Sequence, residues 1–457
     1  MKKNHLRITS VLVLLLLTLS LLLASCEVRL AGLPEDGGTT AGGETDNAAG
    51  GTGAPDVDVD TETDGDTGTG TESGGASGDN TVNNVVIETD RASTAYAAAC
   101  GLRSAVSVYC SFETTTSGGS FWNPTPTTKT YYSTGSGVIY RADADGNAYL
   151  ITNFHVVYDE TSNSENGVSE QINVYLYGRE SERYAIPAVY LGGSAYYDIA
   201  VLRVTESDVL ASAIAEGSVA AVQMGNSDAL VPGDTAIAIG NPSSSAGDLG
   251  GLSVTVGVVS VESEHITMSA SDGSGDVSMR VIRTDAPVNA GNSGGGLYNE
   301  KGELIGIVNA KIVVSSIESI GYAIPASVAR GVADNIIDYC DGTDCESVMR
   351  AILGVTVQSN GLSTVYDPAT GLLSRREEVC VYAVTEGSLA EGVFLCDDVV
   401  LSVTVGDNET VTVHRQHHLI DAMLDARAGD TVTFRVLREG VETTLTATVT
   451  EDCLTAS

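Results

Sequence analysis

The feature that most constrains this chain is the stretch of residues 91–328. There, short runs rich in Val, Ile and Tyr alternate with clusters of Gly, Ser, Asn and Asp. Tyr149-Leu150-Ile151-Thr152, Ile199-Ala200-Val201-Leu202, Thr235-Ala236-Ile237-Ala238-Ile239 and Leu304-Ile305-Gly306-Ile307-Val308 are four such runs. β-Branched and aromatic side chains fit a pleated surface, and the polar clusters between them supply turns. Many short strands with turn signals predict barrels or sandwiches. Helical periodicity is scarce until Ser327–Tyr339.

After Cys345 the pattern changes. Strands are expected over Ala351–Val357 and Val379–Val384, a short helix over Leu389–Gly392 and a longer helix over His417–Ala426. Two further strands, Thr431–Leu437 and Thr443–Val449, close the chain. Strands with two helices over about 100 residues make one small α+β domain. The chain of 457 residues is therefore divided into residues 1–25, 26–90, 91–335 and 346–452.

Residues 1–25 read as a targeting segment. Lys2, Lys3 and Arg7 form a basic start, an apolar run follows from Ile8 to Ala24, and Leu23-Ala24-Ser25-Cys26 resembles a bacterial lipobox. The apolar run is shorter than the ~20 residues of a spanning helix. Cleavage before a diacylated Cys26 is expected, and two acyl chains would tether the protein stably to a membrane. From Ala31 to Asp90 there is no Lys, Arg or aromatic residue. Such a stretch cannot bury enough apolar surface to offset its ordering entropy, so it reads as a disordered acidic tether. At 5–6 Å × √n, about 60 residues reach roughly 45 Å. An EF-hand register starting at Asp60 fails, because Thr71 stands where the bidentate glutamate belongs. The formal net charge of −37 repels phosphate backbones and argues against nucleic acid as a partner. No metal, nucleotide or redox motif is found, so no cofactor is expected.

Of eight cysteines, Cys26 is assigned to the lipid. Sequence proximity suggests Cys100–Cys110, Cys340–Cys345 and Cys380–Cys396, with Cys453 left over, though spacing alone does not decide connectivity. Export permits such bonds.

Three signals carry chemistry, in the order His155, Asp198, Ser293. Leu150-Ile151-Thr152-Asn153-Phe154-His155 is a strand running into a histidine, and Tyr197-Asp198-Ile199 places an aspartate at the mouth of an apolar strand. Gly291-Asn292-Ser293-Gly294-Gly295 surrounds a serine with glycine. A serine hydroxyl needs a neighbouring base to become a nucleophile, and imidazole has a pKa suited to the task. A buried carboxylate then fixes the imidazole tautomer, and the glycines let successive N–H groups converge on one oxyanion. Each signal alone is weak. Between Arg91 and Val328, however, the only other histidine is His265, which reads as a surface residue.

With these flanks, the chain resembles the HtrA/DegP-like (Do-like) trypsin-like serine proteases with a C-terminal PDZ domain. Matching pieces include Gly135-Ser136-Gly137-Val138-Ile139, Thr152-Asn153-Phe154-His155-Val156-Val157, Ile239-Gly240-Asn241-Pro242, Thr284-Asp285-Ala286, Asn289-Ala290-Gly291-Asn292-Ser293-Gly294-Gly295 and Gly321-Tyr322-Ala323-Ile324-Pro325. The resemblance implies an all-β chymotrypsin-like double β-barrel with the triad in the cleft, followed by a small α+β PDZ domain. It implies an oxyanion hole of the N–H groups of Gly291, Asn292 and Ser293, and Pro287, six residues before the nucleophile, at the base of the substrate pocket. Lys311 is expected on a pocket wall. Leu353, Gly354 and Val355 resemble the loop that receives a peptide carboxylate, with strand addition as the binding mode. A homotrimer, with aromatic contacts from Phe121, Trp122, Tyr131 and Tyr132, is what the resemblance suggests for assembly.

Departures from the family pattern include Gly296 where proline is usual, which is expected to loosen the turn after the nucleophile. Others are a longer polar segment from Ser243 to Gly251, Leu389 for a common proline, and Cys396-Asp397-Asp398 in place of a Gly-Asp turn. The expected function is hydrolysis of misfolded or damaged exported polypeptides at the extracytoplasmic side of a membrane. Alternatives are a signalling protease with one dedicated substrate, and an inactive protease fold used for PDZ-based binding. The intact triad positions speak against the last.

Overall fold

The computed structural model describes residues 93–116, 126–242, 249–311, 320–340 and 348–456. Cys26, the acidic tether, Phe121, Trp122, Cys345 and most of the polar segment after Ser243 lie outside the described residues. The first six strands are β1 (Ala105–Thr116), β2 (Thr127–Ala142), β3 (Ala148–Thr152), β4 (Gln171–Leu176), β5 (Ile186–Ser194) and β6 (Ile199–Val204). They close into a barrel in the order β1-β2-β3-β6-β5-β4. A second set, β7 (Thr235–Gly240), β8 (Ser253–Ser269), β9 (Asp276–Thr284), β10 (Gly296–Tyr298), β11 (Leu304–Val308) and β12 (Gly321–Pro325), closes as β10-β11-β12-β9-β8-β7. Closure removes sheet edges, and barrels of this size fill with side chains. Val106, Leu150, Leu202 and Ile186 fill the first barrel; Ala238, Ile282, Ile305 and Val308 fill the second.

The two barrels are fastened by the helix Ala326–Tyr339. Val328, Ala329, Val332, Ala333 and Ile336 recur at helical spacing and are buried in one cluster with Ile199 of the first barrel and Ile237, Ile307 and Ile324 of the second. Tyr298 sits at the centre of this junction, fully buried, its hydroxyl 3.1 Å from Ser104 Oγ. It accounts for Gly296. A Cβ at that position would come within 2.4 Å of the Tyr298 ring, so the space a proline would need is already filled. Gly296 pairs with Ile239 and Ile307 and is buried. The turn after Ser293 is therefore packed, not loosened.

The remaining strands are β13 (Met349–Ala351), β14 (Val355–Asp367), β15 (Leu372–Val384), β16 (Val399–Val405), β17 (Val411–Thr412), β18 (Thr431–Arg438), β19 (Val441–Thr448) and β20 (Leu454–Ala456). The main sheet runs β14-β15-β16-β18-β19 and has its own core, including Phe394, Phe434, Val400 and Leu419. The helix expected over His417–Ala426 is an α-helix over Gln416–Ala422 continued by a 3₁₀ turn, Met423–Asp425. Residues 389–392 form tight turns instead of the expected helix, with Val393 N and Phe394 N both donating to Ala390 O. Sequence periodicity also missed the helices Thr94–Leu102 and Asp208–Ala215, each capped by a serine that accepts from the backbone, Ser93 from Tyr96 N and Ser207 from Leu210 N.

Two suggested disulfides are absent: Cys100, Cys110, Cys380 and Cys396 are free thiols, as is Cys453. Cys110 lies inside the first barrel, where burial pushes its thiol up to about 12, so it behaves as a small apolar residue. Cys340 is disulfide-bonded.

Candidate active site

His155 stands on the short helix Phe154–Val157, immediately after β3. Asp198 stands just before β6, the neighbour of β3 in the barrel. The chain turns there through φ +50° at Asp198, a left-handed conformation in which aspartate is tolerated better than most residues. The two loops are stitched by backbone. Asn153 Nδ2 and Phe154 N donate to Asp198 O at 2.9 and 3.2 Å, and His155 N donates to Asp198 Oδ1 at 3.0 Å. The imidazole Nδ1 then lies 2.7 Å from Asp198 Oδ2. Asp198 is buried, and two further donors converge on its carboxylate, Asn309 Nδ2 at 2.8 Å and Ser271 Oγ at 3.3 Å. This pairing places the imidazole proton on Nδ1 and leaves Nε2 as the acceptor a general base requires.

Ser293 comes from the other barrel, on the turn leading into β10. Ser136 of β2 ties the two together: its N donates to Ser293 O at 2.8 Å, its hydroxyl to Gly291 O at 2.7 Å, and its hydroxyl accepts from Asn241 N at 2.8 Å. Gly294 has φ +83°, and a Cβ there would meet Ser136 O at 2.1 Å and Thr152 Oγ1 at 2.3 Å. Glycine is thus required both for the turn and for the approach of the two barrels. The Ser293 hydroxyl accepts from Ala310 N at 3.1 Å. Its own proton stays available, and for attack it must be donated to His155 Nε2, a contact that commonly tightens only with substrate bound.

The expected oxyanion set is corrected. Asn292 N donates to Asn289 O at 3.0 Å, closing a turn, and is not available to an oxyanion. Among the described residues, Gly291 N and Ser293 N donate to no protein group, and they are the pair left to stabilise the charge. Gly291 has φ +92°, a left-handed backbone that glycine adopts without a Cβ penalty. Lys311, expected on a pocket wall, is drawn toward the triad carboxylate. Its ammonium donates to Ser271 Oγ at 3.0 Å, and Ser271 in turn reaches Asp198, so the charge supports the carboxylate side of the site. Pro287 is exposed, with its carbonyl held by Thr255 Oγ1 at 2.8 Å. Sequence reading missed Asn309, Ser271 and the tying role of Ser136, because each acts through a residue distant in sequence. His265 is exposed on β8, as expected.

In the C-terminal domain β14 is an edge strand of its sheet. Before it, Leu353 O accepts from Ala390 N at 2.9 Å and Gly354 O from Thr385 N at 2.8 Å, which fixes the loop. Among the described residues, Leu353 N and Gly354 N donate to no protein group. Gly354 has φ +80°, with Ser388 filling the space beneath it. The Cys396-Asp397-Asp398 departure keeps the turn: Asp397 takes φ +69°, and buried Asp398 is held by Arg438 at 2.7 and 2.6 Å.

Two barrels that bring a His–Asp pair and a glycine-flanked serine together define a trypsin-like protease fold, here followed by a PDZ domain. A model of the trypsin-like peptidase domain matches residues 135–307, and one of the PDZ domain matches residues 351–449. The chain is 33% identical over 327 residues to serine protease Do-like HtrB of Bacillus subtilis (strain 168), covering 70% of this chain and 63% of that protein. It is 31% identical over 320 residues to serine protease Do-like HtrA of Lactococcus lactis subsp. cremoris (strain MG1363), covering 68% of this chain and 69% of that protein. The chain thus spans slightly less than two thirds of the Bacillus subtilis relative. Among solved structures it is similar to the HtrA-type protease AlgW with tripeptide, at 27% identity and a TM-score of 0.46, covering 79% of this chain and 97% of that one. The chain belongs to the HtrA/Do-like family of serine proteases.

Proposed function

We propose that the chain is a serine endoprotease acting on unfolded polypeptides, with His155 as general base, Asp198 as its orienting carboxylate and Ser293 as nucleophile. The observation that carries this reading is the 2.7 Å His155–Asp198 pair together with the adjacent residues Asn309 and Ala310, which donate to Asp198 Oδ2 at 2.8 Å and to Ser293 Oγ at 3.1 Å. Ser293 Oγ attacks the scissile carbonyl while His155 Nε2 takes its proton. The tetrahedral oxyanion is received by Gly291 N and Ser293 N. His155 then returns the proton to the leaving amine, and water completes hydrolysis by the same steps. Misfolded exported proteins suit such a site, because an unfolded chain can enter a cleft as an extended strand.

The bond cut is set by the pocket at Pro287. Proline offers no charge, and the Lys311 ammonium is engaged by Ser271. A basic P1 side chain would lose hydration without a partner, at a cost of several kcal/mol. An aliphatic one gains about 25 cal/mol per Å² buried. Digestion of denatured casein, read by mass spectrometry, is expected to show most cuts after Val, Ala, Leu or Ile. A majority after Lys or Arg would refute the pocket, and a majority after Asp or Glu would mean that Lys311 reaches it.

The PDZ domain is proposed to bind C-terminal peptides by strand addition to β14, with the carboxylate on Leu353 N, Gly354 N and the neighbouring Val355. Charge-assisted hydrogen bonds to backbone N–H groups favour the acid form. Amidating a binding peptide is expected to weaken its affinity by tenfold or more, on the order of 1.4 kcal/mol. Equal calorimetric affinity of acid and amide would rule out this mode.

Cys26 is proposed to hold the protein on the extracytoplasmic face of the cell membrane. Labelled fatty acid should enter the wild-type chain and be absent from Cys26→Ser; label in the variant would contradict the anchor. A homotrimer is the proposed assembly. Tyr132, exposed on β2, is available to such contacts, whereas Tyr131 stacks on Phe112 at 5.5 Å within the first barrel.

A further inference from the structure

The protease and PDZ domains meet beside a cavity of about 860 Å³, lined from one side by Asp228 and Arg280 and from the other by His414, His417 and His418. Asp228 belongs to a 3₁₀ turn, Ser227–Ala229, ahead of β7, and the two histidines open the helix Gln416–Ala422. One ligand atom from each of Asp228, His417 and His418 lies within 4.8 Å of the others. His417 and His418 are buried, with their rings 4.5 Å apart and nearly perpendicular.

The surrounding hydrogen bonds leave one donor atom free on each group. His418 Nδ1 lies 3.1 Å from Thr412 O and is also reached by His414 N, which donates to it at 3.2 Å; a metal at Nε2 selects the tautomer in which Nδ1–H donates to Thr412 O and the His414 contact is given up. An imidazole held at one nitrogen by a carbonyl presents the other as a lone pair, the usual outer arrangement of a metal-binding histidine. His417 Nδ1 lies 3.4 Å from Ser263 Oγ, again leaving Nε2. Asp228 uses Oδ1 for Arg280 at 2.9 Å and for Ser327 Oγ at 3.2 Å, while Oδ2 has no hydrogen-bond donor among the described residues. The Arg280 charge, which would repel a cation, is shared between Asp228 and Asp421, the latter at 2.6 Å. Arg415 is likewise answered by Glu262 at 3.3 Å and Glu377 at 2.9 Å.

We propose that Asp228, His417 and His418 form a divalent transition-metal site, suited to zinc, that fastens the PDZ domain to the protease barrels. Two imidazoles and a carboxylate are ligands that zinc accepts, with a fourth, tetrahedral position open to water from the cavity. Ligands of tetrahedral zinc at about 2.0–2.1 Å from the metal stand about 3.3 Å apart. Binding therefore draws the groups inward and tightens the contact between domains. A bridging ion stabilises the joined arrangement because it has few ligands in either domain alone. The triad histidine takes no part.

The full soluble chain, freed of metal with a chelator, is titrated with Zn²⁺ alone by calorimetry, and with Co²⁺ alone by visible absorption. One ion per chain is expected, with tetrahedral cobalt bands and a rise in thermal midpoint. Asp228→Asn, which preserves volume, should weaken Zn²⁺ binding about 100-fold, and joint His417→Ala and His418→Ala should abolish it, both with unchanged circular dichroism. His155→Ala should bind as the wild type does. Absence of binding below 100 micromolar, on the order of 5–6 kcal/mol, would overturn the proposal. So would binding that survives the double histidine change, or binding lost with His155→Ala, which would move the ion to the triad. Should the double variant misfold, the Asp228→Asn titration decides alone.

Discussion

Ser293→Ala is expected to lower peptide-bond hydrolysis by about 10⁶, the scale of nucleophile loss in a serine protease triad, while the fold survives. Among the described residues the hydroxyl makes one hydrogen bond, from Ala310 N, so removing it leaves one amide without that partner. The backbone links that hold the turn, Ser136 N to Ser293 O and Ser136 Oγ to Gly291 O, do not involve the hydroxyl. Casein cleavage and thermal unfolding of the same preparation check both halves. Cleavage at wild-type rate by the variant would refute the nucleophile, and a collapsed thermal transition would refute the separation of catalysis from stability.

Asp198→Asn is expected to lower turnover by about 10⁴, the scale for the equivalent change in a trypsin-like triad. The geometry shows why. Asp198 accepts from His155 N and Ser271 on one oxygen, and from Asn309 and the His155 ring on the other. An amide keeps only one accepting oxygen. If that oxygen serves His155 N, the new NH₂ faces both the imidazole and Asn309 Nδ2. The imidazole then turns its lone pair to Nδ1, and Nε2 carries the proton that the base should lack. Two donors facing each other in a buried site also cost about 1–3 kcal/mol of stability. Assay of kcat, KM and unfolding free energy checks the split: kcat falls steeply and KM changes little. A variant within tenfold of wild-type kcat would show that Asp198 does not set the tautomer.

Much of this site was legible because its signals are local. A strand that runs into His155, an apolar strand that begins after Asp198 and glycines on both sides of Ser293 are each visible within a few residues. The barrels were legible for the same reason, since β6 and β11 are almost wholly buried apolar runs. Contacts that join distant positions left no local trace. Asn309 reaches Asp198 across 111 positions, and Ser136 reaches Gly291 across 155. Gly296 reads as a loosening until Tyr298 is seen to fill its space. Proximity in sequence also misled for Cys100 and Cys110. Cys110 faces the first barrel core, while Cys100 lies on the helix Thr94–Leu102, packed near Gly302 of the second barrel. The short helix expected after Ser388 gave way to turns, because Ala390 N is drawn to Leu353 O.

The central claim is that His155, Asp198 and Ser293 work as one assembled unit. Labelling the purified soluble chain with a fluorophosphonate, followed by peptide mapping, tests it directly, because the reagent is attacked only by a serine whose proton a neighbouring base can take. The account predicts one adduct per chain, on Ser293, with labelling lost in Ser293→Ala and strongly slowed in His155→Ala. An adduct on another serine, or labelling of Ser293 at the same rate without His155, would contradict it.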